Sequence, residues 1–557
     1  MSIGILSSAL SGLTAFQRSL ETTSNNISNV NTEGYSRQRA ELTSLPEQYT
    51  GSGYMGSGVR VDNVMRSYDQ FISGQVRSST SAFQEVDSYH QLASQIDNLT
   101  ADESTGLSPA INEFFDAVSD VANDPTSIPS RQVLLDQADA LTHHFNNMSE
   151  RFSDLRQQVN SNLSNAVEEL NGYAAAVAKL NLKIADDIGR ASGKQLPNEL
   201  MDQRDVLLNK IAEKADISVV SQADGTVSVF MGQGQPLVTG GYSTTLSLAD
   251  SKTEPDRKEI LLINQDISKL LSGGEIYGNL RFRDEVLDPA QRQLGLLATG
   301  LATEFNSIHQ AGFDLTGNTG VNFFDLGTPQ VQVSSKAQNS ALVATATFVT
   351  PTVATDLAAR YRLDVTATVP APNYTLTNLS INTPPIVGLD DTTLAALAPN
   401  IGFSVTFNPI GALTTNDSFE FSPVFDAAKN FKLNPAITTP GQIAAASNLN
   451  LKGDNSNALK LAGMASTKFM LGGTQSLTVV YDQLVADVGS KTHTASVSRT
   501  AQDVLLNQAT GARENIAGVN LDEEAANLIK FQNSYQAAAR AVSVANSLFE
   551  TLIGAVR

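Results

Sequence analysis

Apolar residues recur every seven positions at both ends of this chain. Leu6, Leu13, Leu20 and Ile27 share one face of a helix, and Leu10 and Phe16 fill in the same face. Near the other end Leu521, Leu528, Tyr535, Val542 and Phe549 form one stripe. Phe531, Ala538, Ala545 and Leu552 form a second, displaced by three residues, which is the offset of a coiled-coil seam. The spacing predicts two rods of roughly 40 Å at about 1.5 Å per residue. Isolated helices of that length are marginal in water and are stabilised by packing an apolar face. Each end therefore needs a partner helix, which is either the other end of the same chain or a neighbour in an assembly.

Between the ends the pattern changes period several times. Asn25, Asn26, Asn29, Asn31 and Gly34 stop the first helix, because their side chains or backbone freedom favour turns. From Leu42 to Asp69 the chain is rich in Gly, Ser and Tyr and ends in the alternating VRVDNV, which predicts an extended loop or hairpin. Helical spacing returns around Ala82 to Leu99 and again through Ile111, Phe114, Phe115 and Val118. A long amphipathic rod follows from Leu141 through Phe145, Phe152, Leu163 and Val177 to Gly189. Gly193 and Pro197 break it, and a shorter helix runs from Glu199 to about Asp216. ISVVSQADGTVSVF then alternates around Asp224-Gly225, a hairpin signal. A helix is expected between Pro289 and Gly312, followed by strands in RLDVTATV, NYTLTNLSI, IGFSVTF and DSFEFSP, and by helix again from QSLTVVYDQLVADVGS onward.

These elements nest, with helix outside and strand inside. The expected fold class is α+β multidomain, with paired terminal coiled-coil helices, a long-helix middle domain and inserted β-rich outer domains. The expected borders are 1–37 with 518–557 for the terminal pair and 38–216 with 436–517 for the helical middle. A β-rich domain with one helix would occupy 217–330, and an outer β domain 331–435.

Composition narrows the function classes. Lys and Arg total 37 against 57 Asp and Glu, a net charge of −20, which argues against nucleic acid as a partner. Cysteine is absent, which removes disulfides, thiolate metal sites and cysteine nucleophiles. The first twenty residues lack the basic and apolar regions of a secretory signal, and no stretch approaches the ~20 apolar residues of a membrane span. GSGYMG at Gly51 to Gly56 has the letters of a dinucleotide fingerprint without the strand before it or the helix after it. The histidines His90, His143, His144, His309 and His493 fall in no ligand spacing and read as solvent-facing. Carboxylate pairs such as Asp186-Asp187 and Glu523-Glu524 read as surface. No catalytic, cofactor or metal residue is expected, and the chain reads as a non-enzyme.

SGLTAFQRSLETTSNNISNVNTEGYSRQ, from Ser11 to Gln38, resembles the N-terminal motif shared by bacterial flagellar rod, hook and hook-associated proteins, with Ser24, Asn25, Asn26, Asn29, Gly34 and Tyr35 as its motif residues. GVNLDEEAANLIKFQNSYQAAARAVSVANSLFETLI, from Gly518 to Ile553, is similar to the C-terminus of the hook-associated proteins of the hook–filament junction. PNELMDQRDVLLNKI, GNLRFRD and FNSIHQAGFDLTGNTGVNFF resemble the same proteins in the same order. The resemblance implies a structural axial protein at that junction, exported without a cleaved signal through the flagellar type III channel and located outside the cell. It implies self-assembly in a ring, contacts with the hook protein and with a second hook-associated protein on the filament side, and an export chaperone on the C-terminal helix. The assembly residues would be Leu6, Leu13, Leu20, Ile27, Leu521, Leu528, Phe531, Tyr535, Val542 and Phe549, with Leu528, Phe531, Tyr535 and Val542 also meeting the chaperone.

Three alternatives stay open from the residues themselves: a hook or rod protein, a secreted protein whose inserted β domain binds a ligand, and a cytoplasmic coiled-coil scaffold. Limited proteolysis of the monomer separates the roles of the ends. Removal of both back to roughly Gln38 and Gly518 marks them as elements awaiting a lattice, and joint protection marks an intramolecular hairpin.

Overall fold

The computed structural model describes residues 2–49, 53–102, 106–191, 195–251, 256–327, 330–333, 342–349, 359–380, 383–409, 412–422 and 424–556. The chain opens with α1 (Ser2–Ser28) and a small antiparallel ribbon of β1 (Gln38–Ser44), β2 (Gln48–Tyr49), β3 (Tyr54–Met55) and β4 (Val59–Arg66), where the alternating sequence led us to expect a hairpin. Four helices follow: α2 (Gln70–Ala101), α3 (Leu107–Asn123), α4 (Ile128–Arg190) and α5 (Asn198–Lys214). The rod begins at Ile128, well before Leu141, because Ser127 accepts a hydrogen bond from Ser130 N and Pro129 suits the first turn. Its 63 residues make a rod of roughly 95 Å. Leu141, Phe145, Met148, Phe152, Val159, Leu163, Leu170 and Val177 are all buried on one face.

Strands then take over. β5 (Ile217–Ser221), β6 (Val227–Met231), β7 (Gln235–Thr239) and β8 (Tyr242–Ser243) form a four-stranded antiparallel sheet. β9 (Leu246–Asp250), β10 (Lys258–Leu262) and β11 (Gln265–Asp266) form a three-stranded one. The β5–β6 hairpin turns at Asp224-Gly225, with Gly225 at φ +84° and Asp224 Oδ1 accepting from Thr226 N. The next helix starts earlier than Pro289. α6 (Gly274–Phe282) runs through a π-helical turn at Arg283–Leu287 into α7 (Asp288–Gln310).

The outer region holds β12 (Phe324–Asp325), β13 (Gln330–Val333), β14 (Val343–Phe348), β15 (Tyr361–Ala367), β16 (Asn373–Asn378) and β17 (Ile386–Leu389). It continues with α8 (Asp391–Ile401), β18 (Phe403–Asn408) and β19 (Ser418–Ser422). The five-stranded sheet has the order β13-β19-β15-β16-β17, and β14 pairs with β18. α8 was not expected from its sequence. It is nucleated by a capping box in which Asp390 and Thr393 satisfy each other's backbone. The chain returns through α9 (Ala427–Asn430), β20 (Lys432–Leu433), α10 (Ser456–Gly463), α11 (Leu477–Ala517) and α12 (Leu521–Val556).

Buried side chains divide into two cores. One is continuous from Tyr89 to Ala495 and takes in α2, α3, α4, α6, α7, both inner sheets and the start of α11. The other lies between Leu342 and Phe421. The segment 217–330, expected as a domain of its own, therefore shares the helical core, because Val229, Val238, Leu246 and Ile260 pack into it. The outer core closes by Phe421, not at 435. Phe431 stacks edge-on against Phe145 of α4, and β20 pairs with β12.

His309 corrects the solvent-facing reading of the histidines. It is fully buried beside Phe305 and Phe323, its Nδ1 meets Val321 O at 2.7 Å, and Ala444 N donates to its Nε2 at 3.0 Å. That pair of contacts requires the neutral ring with its proton on Nδ1. Burial pushes its pKa down to about 4. The unfolded chain binds this proton near pH 6.5, so full stability is present above that value and is lost as pH falls toward about 4. His309→Gln should reduce the drop in unfolding free energy between pH 7 and 4.5 by about 2–3 kcal/mol, measured by urea titration at both pH values. An unchanged drop refutes the assignment.

Candidate functional site

The chain's two ends meet. α1 and α12 pack along one another. On α1 the buried positions among the described side chains are Gly12, Ala15, Ser19, Thr23 and Asn26, small and polar residues spaced by three and four on a helix that packs against both α12 and the β1–β4 ribbon. A Cβ placed on Gly12 would lie 3.9 Å from Ala538 Cβ, so the backbones approach closely there. Ser19 Oγ satisfies itself on Ala15 O at 3.0 Å. On α12 Glu524 and Ala545 are buried, and Phe531 and Ala538, at the same heptad position, are half-buried.

The expected assembly residues are covered to different degrees. Leu6, Leu13, Leu20 and Ile27 are half-buried, as are Leu528, Phe531, Tyr535 and Val542. Leu521 and Phe549 are exposed, at 51% and 44%. Ile5, Leu10, Ile529, Val544 and Leu548 also stand in solvent.

The N-terminal motif forms the joint below this pair. Asn26 is buried and works in both directions. Its Nδ2 donates to Gln38 O at 2.9 Å and to Glu524 Oε2 at 3.0 Å, while its Oδ1 accepts from Gln38 N at 2.9 Å and from the Tyr35 hydroxyl at 2.8 Å. Glu524, read from sequence as surface, is 2% exposed. Arg37 reaches its Oε1 through Nε at 2.8 Å and contacts exposed Glu523 at 2.7 Å. Arg37 N also donates to Ala517 O, the last residue of α11, at 2.8 Å. One Asn, one Arg and one Glu therefore connect the end of α1, the end of α11 and the start of α12.

A second set of contacts ties the joint to α5. Ser36 N donates to Asp202 Oδ2 at 3.0 Å, and Arg66, at the end of β4, bridges Asp202 at 2.8 Å and Asp205 at 2.6 Å. Burial pushes the Asp202 carboxyl above its ordinary value, against the opposing hydrogen bonds from Arg66 and Ser36. Burial, with Asp202 nearby, likewise raises the Tyr35 hydroxyl. Gly34 turns at φ +77°, and a Cβ there would fall 2.1 Å from Val206 Cγ2, so both conformation and space demand glycine. Asn29 Nδ2 closes the turn onto Asn25 O at 3.0 Å, and Ser24 faces solvent.

Among the described residues no group of three His, Asp or Glu is placed to hold a metal, and no helix is long and apolar enough to cross a membrane. An open cleft of about 690 Å³ separates α1 and β4 from the α4–α5 connection and is lined by Arg18, Glu21, Asn25, Asp62, Asp187 and Glu199 among others. Of the GSGYMG stretch, Gly51 and Ser52 lie outside the described residues, and Tyr54 and Met55 form β3 of the ribbon. Sequence reasoning missed Glu524 and Arg37. The only signal was a carboxylate at the same heptad position as Phe531, Ala538 and Ala545, where an apolar residue would be expected.

Comparison with known proteins gives matches along the chain. A family described as the flagellar hook-associated protein FlgK helical domain matches residues 93–324. The flagella basal body rod protein family matches residues 6–35, and the flagellar basal body rod FlgEFG protein C-terminal family matches residues 513–555. The chain is 33% identical to flagellar hook-associated protein 1 of Escherichia coli K12, with 99% of each covered. It is 24% identical to the Bacillus subtilis protein of that name, over 98% of this chain and 97% of that one. The solved structure of the flagellar hook junction protein FlgK from Burkholderia pseudomallei shares the fold, with a TM-score of 0.69 at 24% identity over 80% of this chain and all of that one.

If the joint is one cooperative network, its members must be energetically coupled. Glu524→Gln should raise local opening around 26–38 and 520–524 at least tenfold, about 1.4 kcal/mol, in hydrogen exchange, and leave the middle domain unchanged. Adding Arg37→Gln should cost at least about 1 kcal/mol less than the sum of the two single changes. Strict additivity would rule the network out.

Proposed function

This chain belongs to the flagellar hook-associated protein 1 family, and from that premise we propose that it is a non-enzymatic structural subunit of the flagellum, located at the junction between hook and filament. Copies assemble into a ring outside the cell, with the hook protein on one side and a second hook-associated protein on the other. The observation that carries this reading is the terminal pair. It is tied to the middle domain by buried polar contacts, yet Ile5, Leu10, Ile529, Val544 and Leu548 remain exposed around it. Apolar surface of this kind is covered when subunits associate. In a tubular lattice each subunit presents different faces to its neighbours, which accounts for exposed apolar residues on both helices.

The same geometry bears on export. Leu528, Phe531, Tyr535 and Val542 are each half-covered, so a chaperone that grips all four competes with α1 for α12. The chaperone-bound chain is then one in which the two ends are apart, and pairing follows release. This suits passage through a narrow channel, where a chain without cysteine forms no crosslinks.

Leu528→Asp or Val542→Asp should abolish junction assembly, since burying an unpaired charge costs several kcal/mol, while the near-ultraviolet circular dichroism of the remaining domains is kept. Ile529→Asp, at a position 58% exposed in the free chain, should leave unfolding unchanged within about 0.5 kcal/mol and still block assembly. Normal filaments by electron microscopy in cells carrying any of these variants would sink the proposal.

A further inference from the structure

A cavity of about 220 Å³ lies between the end of β4, the N-terminal part of α2, α5 and the β5–β6 hairpin. Arg66, Tyr68, Arg77, Arg204 and Asp205 line it beside apolar residues such as Val227. All three arginines are withdrawn from water: the Arg66 side chain is 7% exposed, Arg77 6% and Arg204 4%. Among the described residues only Arg66 is ion-paired, to Asp202 at 2.8 Å and Asp205 at 2.6 Å. Its guanidinium also stands 4.2 Å from the centre of the Tyr68 ring. Arg204 Nη1 donates to two uncharged acceptors, Gly225 O at 2.7 Å and Asn181 Oδ1 at 3.1 Å, while its buried Nε has no partner. No hydrogen bond or ion pair holds Arg77 among the described residues.

Three cations therefore share two carboxylates, on a chain whose net charge is −20. A guanidinium does not shed its proton, and a buried charge without a counter-charge is strongly unfavourable. We propose that this cavity binds a small oxyanion of the phosphate type, held between Arg77 and Arg204. The oxygens of such an ion accept from two guanidinium groups at once, the recognition for which arginine is the suited side chain. The volume lies below the about 300 Å³ at which pockets for drug-sized ligands begin, which fits an ion and is too small for a nucleotide. The bound ion bridges α2 to α5. Arg66 lines the same cavity and holds Asp202, which accepts from Ser36 N at 3.0 Å, so the ion also reinforces the attachment of the terminal joint to the middle domain. This assignment goes beyond the junction reading and stands without it.

The test is isothermal titration of the full chain with inorganic phosphate, chloride being exchanged to keep the ionic strength constant. Binding should saturate at one ion per chain. Arg77→Met, which keeps the length of the side chain and removes its charge, should weaken it at least about tenfold. Arg190→Gln, at an exposed position of α4, should leave it unchanged. Acetate should bind at least about tenfold more weakly than phosphate. Absence of saturable binding, or binding that Arg77→Met does not weaken, overturns the proposal. Equal affinity for acetate overturns the phosphate-type assignment in favour of a carboxylate. Thermal unfolding separates a binding role from a structural one. Without phosphate Arg77→Met should unfold no more easily than the unsubstituted chain, because the charge it removes has no counter-charge. With saturating phosphate the unsubstituted chain should gain in melting temperature and the variant should not. A variant that is less stable than the unsubstituted chain in the absence of phosphate marks Arg77 as structural and overturns the proposal.

Discussion

Glu524 is a carboxylate withdrawn from water at the place where the two ends of the chain meet, and such a charge persists only while its partners hold position. Arg37 and Asn26 supply those partners from the other end. Since 498 positions separate Asn26 from Glu524, every domain between them is an insertion into one closed loop. The nesting of helix outside strand follows from that closure. The contact costs much to form and more to break, which makes it a better device for fixing an angle than for adding stability.

The parts of the molecule are held by different sets of buried contacts. The terminal pair is held by a narrow seam, with Glu524 and Ala545 the buried members of α12 among the described residues. The middle domain is held by a core that α4 traverses along most of its length. The outer β region has a core of its own, so it can vary or fluctuate without disturbing the helices below.

Surface chemistry follows the same division. A chain with a net charge of −20 stays apart from its copies over most of its surface. Exposed apolar side chains include Ile5 and Leu10 of α1 and Ile529, Val544 and Leu548 of α12, and others lie elsewhere on the molecule, such as Phe71 of α2 and Tyr242 of β8.

Local signals made much of this legible. Periodicity located the terminal helices, the long rod and the Asp224-Gly225 hairpin, because helix and strand repeat at different intervals and a tight turn needs particular residues. The resemblance at Ser11 to Gln38 and Gly518 to Ile553 pointed to the family. What periodicity did not reveal was which residues on each helix face would be buried. The heptad leucines of α1 are half-buried, while Gly12, Ala15 and Ser19 are buried, since α1 packs against the β1–β4 ribbon as well as α12 and no single helix shows where its partners will lie. Glu524 and His309 looked exposed for the same reason. Whether a polar group is buried depends on partners more than a hundred residues away in sequence, Asn26 and Arg37 for the one and Ala444 for the other. The sequence by itself determined most of the elements, because those depend on neighbouring residues. Only the tertiary structure decided which charges leave water, because that depends on contacts that exist once the ends have met.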